Sequence, residues 1–456
     1  MTLIAPPDDR TGAASLRGLC GGSVHLPGDP GYEAACLPWS AAVVQRPAAV
    51  AYPADTAETA EVVRAAAAAG LRVAVQSTGH NAGPLPDLGG AVLLRTSAMT
   101  GVHLRDDRAV VRGGAVWEPV VTAAAEAGRA VLHGSSPDVG VLGYALGGGM
   151  GWYARKLGLA TNSVTGAEVV LADGSVVRTD AEHEPDLFWA IRGGGGNFGV
   201  VTELELRTFP ITSAYGGWLI WDWTRAPEVV RRWRDWAETA PDEVTTSCRI
   251  LQLPPLSELP EPLRGRSIVA IDGAVLADDE RAEAILAPLR ELQPEIDTFT
   301  RMPAPALGRL HMDPEGPTPA ESATALLHEL PDEAIDAFVA AAGPGSGSVL
   351  LAAELRQLGG AVGRPAEGAG ALPRIDGAFL AFAVGIPMGP EFPVQEHADR
   401  LMAALQPWAT SRRYLNFVER PIDASVGYEP ASWERLRTIR RAVDPDGVFL
   451  ANHPIG

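Results

Sequence analysis

Short apolar runs alternate with amphipathic helical stretches over residues 41–210. The apolar runs are rich in β-branched residues, which favour strands, and turn residues separate them from the helical stretches. Helices are predicted at 58–70 and 117–130, and strands at 71–77, 91–96, 108–114 and 167–179, the last with an Asp-Gly turn signal at 173–174. This alternation is typical of an α/β or α+β layer structure.

The pattern changes near Pro210 and returns to its first form near residue 411. The middle region is predicted to form helices at 279–292 and 330–342, strands at 348–358 and 378–386, and loops at 253–264 and 359–373. From residue 411 the segment SRRYLNF is followed by an amphipathic helix at 432–444. With 456 residues, two domains, or one domain interrupted by another, are expected.

Composition narrows the function classes. Apolar residues make up 46% and charged residues 20%, as in globular proteins, and the net charge of -19 is spread along the chain without a basic run. A nucleic-acid partner is therefore disfavoured, because phosphate contacts need concentrated positive charge. Cys20, Cys36 and Cys248 form no CxxC pair, so neither a disulfide framework nor a zinc site is indicated. No secretory signal or membrane span is apparent, so a cytoplasmic protein without membrane contact is expected.

Three glycine-rich stretches are candidates for binding an anion. They are QSTGHNAG (76–83), SPDVGVLGYALGGGMGW (136–152) and RGGGGNFGV (192–200). GGGNFG matches the dinucleotide fingerprint, but it lies between a helix and a strand in the reverse of the required order, which disfavours a Rossmann site. Glycine turns let backbone N–H groups approach a diphosphate, although ordinary tight turns have the same composition.

His80 lies in the first of these stretches, directly after a predicted strand. From the residues alone a surface or hydrogen-bonding role is favoured over a reactive role, because a histidine in a glycine turn after a strand more often has the former. A metal site has little support, because the other eight histidines show no i,i+4 pairing. The absence of a G-x-S-x-G motif leaves serine hydrolase chemistry without support.

The order of motifs resembles that of FAD-linked oxidases of the vanillyl-alcohol oxidase superfamily, berberine bridge enzyme-like group, over about 40–210 and 411–456. QSTGH is similar to the loop R-[SG]-G-G-H-S, whose histidine bonds the flavin 8α-methyl, although Gln76 and Thr78 depart from it. SPDVGVLG is similar to C-P-T-V-G-x-G-G, with Ser136 at the position of a second flavin-linking cysteine. The resemblance therefore implies FAD bound covalently through His80 only.

Further motifs extend the resemblance. Val139 stands where a small residue accompanies use of oxygen, YLNF (414–417) is similar to Y-x-N-[YF] with Tyr414 as catalytic residue, and DPDGVFLANHPI ends the chain as in the family. The cofactor-binding positions that the resemblance implies are Gln76, Ser77, Thr78, Gly79, His80, Asn81, Ser136, Pro137, Val139, Gly140, Gly143, Gly147, Gly148, Gly149, Trp152, Asn162, Gly199, Val200 and Asn452.

The implied fold is α+β, a two-subdomain PCMH-type FAD-binding domain (1–210 and 411–456) with an inserted α+β substrate domain (211–410), whose antiparallel sheet is covered by helices. The implied function is oxidation of an alcohol or related group of a secondary metabolite by hydride transfer to flavin N5. O2 is the expected acceptor, H2O2 the product, and a monomer or homodimer the expected state. A flavin-dependent dehydrogenase, an oxidative-cyclisation enzyme and a sugar or oligosaccharide oxidase remain alternatives.

Overall fold

The computed structural model describes residues 10–456, which form helices and strands in an alternating order. The helices are α1 (Arg10–Ala14), α2 (Tyr32–Cys36), α3 (Thr56–Ala68), α4 (Trp117–Glu126), α5 (Val141–Leu146), α6 (Ala154–Leu157), α7 (Pro185–Gly194), α8 (Ala226–Thr239), α9 (Asp279–Arg290), α10 (Asp332–Ala342), α11 (Val394–Leu405) and α12 (Pro430–Val443). The strands are β1 (Val24–His25), β2 (Ala49–Ala51), β3 (Arg72–Gln76), β4 (Ala91–Arg95), β5 (Val102–Arg105), β6 (Arg108–Arg112), β7 (Val164–Val170), β8 (Val176–Thr179), β9 (Val200–Arg207), β10 (Ser213–Asp222), β11 (Val244–Gln252), β12 (Ser267–Val275), β13 (Ile296–Asp297), β14 (Thr300–Pro303), β15 (Glu321–Leu327), β16 (Ala352–Gln357), β17 (Phe379–Gly385) and β18 (Phe449–Leu450).

The first sheet has the order β1-β2-β4-β3-β18 and is parallel except at β1. Helix α3 begins at Asp55, whose carboxylate accepts the N–H of Glu58, and buries Val62 and Val63 in the core beside this sheet. Near the C-terminus, β18 pairs with β3, with Phe449 opposite Val73. The C-terminal segment therefore completes a sheet that begins with residues near the N-terminus.

The second sheet, β5-β6-β9-β7-β8, is antiparallel throughout. Its β7–β8 hairpin turns at Asp173 and Gly174, where Gly174 has a φ of +77° and Asp173 accepts the N–H of Ser175. The predicted turn is thus confirmed, because glycine adopts this left-handed conformation at little cost.

The third sheet has eight strands, which lie between residues 213 and 385 and pair antiparallel. Helices α8 to α11 cover one of its faces, and their apolar residues share a core with the sheet, for example Trp233, Leu286, Phe338 and Leu401. The predicted α+β fold with an antiparallel, helix-covered sheet is confirmed. The domain limits at 210 and 411 stay predictions.

Arg155 connects the segment after the second glycine-rich stretch to this third sheet. Its side chain is buried and donates hydrogen bonds to backbone carbonyls of Val244 (2.8 Å), Ala240 (2.9 Å) and Leu358. Carbonyl oxygens satisfy the guanidinium without a carboxylate, although burial lowers its pKa. Arg155 therefore joins the motif GWYARKLG to the N-terminal end of β11 and the C-terminal end of β16.

None of the helices in the described part of the chain combines the length and apolar character needed to cross a membrane. Cys20, Cys36 and Cys248 are buried and unpaired.

Candidate active site

The loop 76–81 leaves the end of β3 and is fixed by backbone contacts. Gln76 is buried and exchanges amide hydrogen bonds with Gln45 (2.9 and 3.2 Å), so its side chain supports the strand end. Gly79 has a φ of +86°, and a Cβ there would lie 2.7 Å from the Cβ of Pro38. The Thr78 carbonyl accepts the N–H of Trp39 at 2.9 Å. Glycine is therefore required at 79 for the turn that presents the next residue.

His80 is held between two partners. Its ring stacks on the indole of Trp39, with centroids 3.9 Å apart and planes at 20°. Its Nε2 lies 3.4 Å from both the backbone oxygen and the Oδ1 of Asp138. The structure thus brings the predicted flavin-linking histidine against the second glycine-rich stretch.

Asp138 is a site residue that the motif comparison missed. Its carboxylate accepts hydrogen bonds from the Trp39 indole (2.7 Å), the Gly316 N–H (2.9 Å) and the Ser136 hydroxyl (3.1 Å). Burial raises the pKa of this carboxyl, but the bonds from His80, Gly316 and Trp39 outweigh burial and hold the pKa below its usual range. The aspartate is therefore ionised at neutral pH.

The glycine run 147–149 fits closely around two polar side chains. The N–H of Gly149 donates to the hydroxyl of Tyr414 at 2.8 Å, and the Asn416 amide donates to the same oxygen at 3.3 Å. A Cβ on Gly148 would lie 2.8 Å from the Tyr414 ring, and one on Gly149 would lie 2.5 Å from the ring of Tyr144. Only glycine lets the chain pass this close to both tyrosines.

Tyr414 is buried, and this burial decides its protonation. Burial raises its pKa, and the bonds from Gly149 and Asn416, with the nearby positive charge of Arg356, offset only part of that rise. The predicted catalytic role stays a prediction, but a free phenolate is not available at neutral pH. The hydroxyl can act as a positioned neutral phenol or exchange its proton in concert with substrate.

The C-terminal segment connects two of the predicted cofactor-binding regions. Asn452 donates to the backbone oxygen of Asn81. Asn197, in the third glycine-rich stretch, donates to the His453 carbonyl (3.1 Å) and accepts from the Ile455 N–H (2.9 Å). Residues 452–455 therefore tie the His80 loop to the 194–199 turn.

The other predicted positions have more varied surroundings. Pro137 and Val139 accept backbone N–H groups at the start of α4, and a Cβ on Gly140 would lie 2.9 Å from the Ser77 hydroxyl. Val200 pairs with Val170 and so belongs to the second sheet, and Gly199 lies directly before this strand, where a Cβ would meet Val169. A Cβ on Gly143 would meet open space, whereas a Cβ on Gly147 would meet the Asn416 amide.

Several buried polar atoms of these loops lack a partner among the described residues. They are the Ser77 hydroxyl, the Asn81 and Asn162 amide oxygens and the Trp152 indole N–H. Buried polar groups are normally hydrogen-bonded, so four of them on predicted cofactor-binding residues indicate a ligand that supplies the partners. FAD carries both donors and acceptors, so it fits the chemistry of these atoms, and the glycine loops would let backbone N–H groups approach its diphosphate.

A polar face of the eight-stranded sheet lies opposite these loops. In register, Ser247 pairs with Asp272 and with Arg356, and Arg249 pairs with Glu354. The charged side chains form one buried network with His311. Arg249 pairs with Asp272 at 2.8 Å, His311 lies 2.7 Å from Asp272 and 3.4 Å from Glu354, and Arg356 pairs with Glu354. The only sequence signal for this network was single charged residues inside apolar strands.

The network fixes the charge of its histidine. Burial and Arg249 lower the pKa of His311, but Asp272, Asp313 and Glu354 raise it to about 9. The pKa of Asp272 is lowered, because Arg249 and His311 outweigh the effect of burial. His311 is therefore a cation at neutral pH, and its charge balances the two carboxylates.

A small cavity of about 20 Å³ separates the two walls. Both walls contribute to its lining, which is mostly polar: Ser135, Met150, Gly151, Trp152, Thr245, Thr246, Ser247, Arg356 and Gln357. A larger cavity of about 290 Å³ is lined by Tyr414 together with charged residues such as Arg374, Asp376 and Arg412. Tyr414 thus borders a space large enough for a small organic molecule.

Comparison with known proteins agrees with this arrangement. A family model described as an FAD-binding domain matches residues 47–180, which include His80 and the 136–152 stretch. (R)-6-hydroxynicotine oxidase of Paenarthrobacter nicotinovorans is 36% identical over 203 residues, 44% of this chain and 44% of that protein. The chain spans somewhat under half the length of the curated relatives it matches.

Two solved structures resemble nearly the whole chain. BBE-like 1 of Physcomitrella patens has a TM-score of 0.83 and 20% identity, covering 98% of this chain and 99% of that one. A glucooligosaccharide oxidase of Acremonium strictum with 6-S-cysteinyl, 8α-N1-histidyl FAD has a TM-score of 0.79 and 23% identity, covering 95% and 96%. The resemblance inferred from the motifs is confirmed: residues 47–180 match an FAD-binding domain, and the chain has the fold of BBE-like 1 and of the glucooligosaccharide oxidase.

Proposed function

We propose that the chain is an FAD-dependent oxidase that converts an alcohol or related group of a small molecule, with O2 as electron acceptor and H2O2 as product. One observation carries the proposal. His80 contacts Asp138 of the second glycine-rich stretch, Gly149 of the same stretch donates to Tyr414, and Tyr414 lines the cavity of about 290 Å³. A substrate in that cavity would therefore lie beside Tyr414 and next to the loops proposed to hold the cofactor.

Bound FAD would supply the two-electron acceptor, and the chain supplies binding and proton handling. His80 and the unpartnered Ser77 and Asn81 groups would hold the cofactor. Tyr414, fixed through its oxygen by Gly149 and Asn416, would hydrogen-bond the substrate hydroxyl. Tyr414 is buried, so bulk water is kept away from its hydroxyl.

A single covalent attachment through His80 is part of the proposal. The structural relative with doubly linked FAD carries a cysteinyl and a histidyl bond. Here Ser136 stands at the cysteine position, and its hydroxyl donates a hydrogen bond to the Asp138 carboxylate at 3.1 Å. A serine hydroxyl does not form the thioether, so one bond is expected.

An oligosaccharide or other carbohydrate is the second candidate substrate class. It is supported by the relatives named chitooligosaccharide oxidase and glucooligosaccharide oxidase. A monomer or homodimer remains the expected state.

The decisive experiment is purification followed by an absorbance spectrum and oxygen-consumption assays. A flavin spectrum, together with peroxide formed in proportion to oxygen consumed, is expected for one member of a panel of alcohols, sugars and oligosaccharides. Turnover with an artificial electron-accepting dye but not with oxygen would show that the enzyme is a dehydrogenase and not an oxidase. Colourless protein that does not take up added FAD would refute it.

A further inference from the structure

The imidazole of His80 uses one of its two ring nitrogens within the described structure. Its Nε2 points to two oxygens of Asp138, each at 3.4 Å. Both oxygens can only accept hydrogen bonds, since one is a carbonyl and the other belongs to an ionised carboxylate. In a neutral imidazole the proton must then lie on Nε2, and the lone pair on Nδ1.

Asp138 is itself immobilised. The indole of Trp39 donates to its Oδ2 at 2.7 Å while the same indole stacks on His80. The backbone N–H of Gly316, from the segment between β14 and β15, donates to the same oxygen at 2.9 Å. One set of contacts thus fixes the ring plane and the tautomer of His80 and the position of the Asp138 carboxylate.

We propose that Asp138 is a positioning residue for flavin attachment, which keeps the His80 proton on Nε2 so that Nδ1 forms the bond to the 8α-carbon of FAD. The inference rests on the proposed function, since it presumes FAD bound beside His80. It assigns to Asp138 a task that the motif comparison did not give to any residue.

Attachment reduces the flavin by two electrons. The Nδ1 lone pair forms the N–C bond, one methyl C–H bond breaks with loss of a proton, and the electron pair of that bond stays on the flavin. The alkylated imidazole is a cation until Nε2 gives up its proton, and the Asp138 carboxylate stabilises that charge. O2 then removes two electrons and two protons from the reduced flavin as H2O2.

The test compares Asp138→Ala, Asp138→Asn and the wild-type protein. Flavin retained after acid precipitation measures attachment over time, and mass spectrometry of the His80 peptide identifies the bonded nitrogen. Attachment in Asp138→Ala is expected to slow by about ten- to a hundredfold, the size expected when a charge-assisted hydrogen bond is lost, with part of the product on Nε2. Asp138→Asn should slow attachment less and keep Nδ1, because its amide oxygen still accepts from Nε2.

Glu118→Ala is the matched control. Glu118 pairs with Arg309 at 2.6 Å and so contacts the same segment that supplies Gly316, without touching His80. This variant should attach flavin at the wild-type rate. If Asp138→Ala does not fold, the attachment rate of Asp138→Asn is compared with that of the wild type instead, because asparagine preserves the shape of the side chain.

Three outcomes separate the inference from the proposed function. Equal rates and the same bonded nitrogen in all variants would overturn the role of Asp138 and leave the oxidase intact. Complete release of flavin from the wild type would overturn attachment, while turnover would still support the oxidase. Wild-type protein without flavin would overturn both.

Discussion

The loops of the FAD-binding domain and the polar face of the eight-stranded sheet meet across one small cavity with different chemistry. The loops present glycine backbone, neutral hydroxyls and a single carboxylate at Asp138. The sheet presents a buried network of two arginines, a charged histidine and two carboxylates, spread over three strands and one loop. The loop wall is thus shaped by backbone conformation, and the sheet wall by charge.

This difference predicts different weaknesses. A wall of tight glycine turns tolerates changes of pH but not added side-chain volume, because no neighbour can move away. A buried charge network tolerates changes at its edges but not loss of a partner, since the remaining charges are then buried unpaired. Variants of each wall test the distinction.

The largest effect is expected for Asp272→Ala, which removes the carboxylate that pairs with Arg249 and His311. Loss of one partner of a buried network should lower the free energy of unfolding by about 3–5 kcal/mol, measured by urea denaturation. The exposed Asp279, paired with Arg301, is the control, and Asp279→Ala should cost about 1 kcal/mol or less. Equal losses in both variants would mean that the network is not coupled.

Gly149→Ala should cost about 3 kcal/mol, because the residue has a φ of +79° and a Cβ would lie 2.5 Å from the Tyr144 ring. Flavin content should fall with it. Gly70→Ala shares the left-handed φ of +71° but meets open space, so it should cost only about 1 kcal/mol of backbone strain. A similar loss in the two variants, by thermal unfolding, would show that volume is not what limits the loop wall.

The sheet wall should weaken at alkaline pH. His311 has a folded pKa of about 9, above its unfolded value of about 6.5, so its stabilising charge is complete below pH 6.5 and is lost as the pH rises through 9. The free energy of unfolding should fall by about 2 kcal/mol from this group between pH 7 and 10. His311→Gln should remove that dependence, and an unchanged slope in the variant would exclude this histidine as its source.

The smallest change in stability is expected for Tyr414→Phe, which leaves the Gly149 N–H without its acceptor and costs about 1 kcal/mol. Turnover should fall by about a hundredfold if the hydroxyl assists proton transfer. Tyr32→Phe removes a similar buried hydroxyl, bonded to the Pro47 carbonyl at 2.6 Å, and should leave turnover unchanged. Equal turnover in both variants would contradict a catalytic role for Tyr414.

Local signals in the sequence predicted elements both near the predicted cofactor-binding loops and in the middle region. The helix at α3, the strand β3, the Asp173–Gly174 turn and the helices α9, α10 and α12 all lie within a few residues of their predicted positions. Each depends on short-range preferences such as capping, glycine turns and amphipathic spacing. The predicted strand at 348–358 is shorter in the structure, where β16 spans Ala352–Gln357, because pairing with β11 and β17 sets its ends.

The sequence by itself determined the order of motifs around His80, Ser136 and Tyr414, and hence the FAD-binding domain, because those motifs are contiguous and depend on local backbone geometry. Only the tertiary structure decided which side chains meet. Asp138 contacts His80 across 58 positions, and the Asp272–His311–Glu354 network depends on strand register and on one loop. Protonation also followed from burial rather than residue type, since burial keeps Tyr414 neutral while surrounding carboxylates keep His311 charged. Desolvation and charge pairing act through space, so no sequence spacing encodes them.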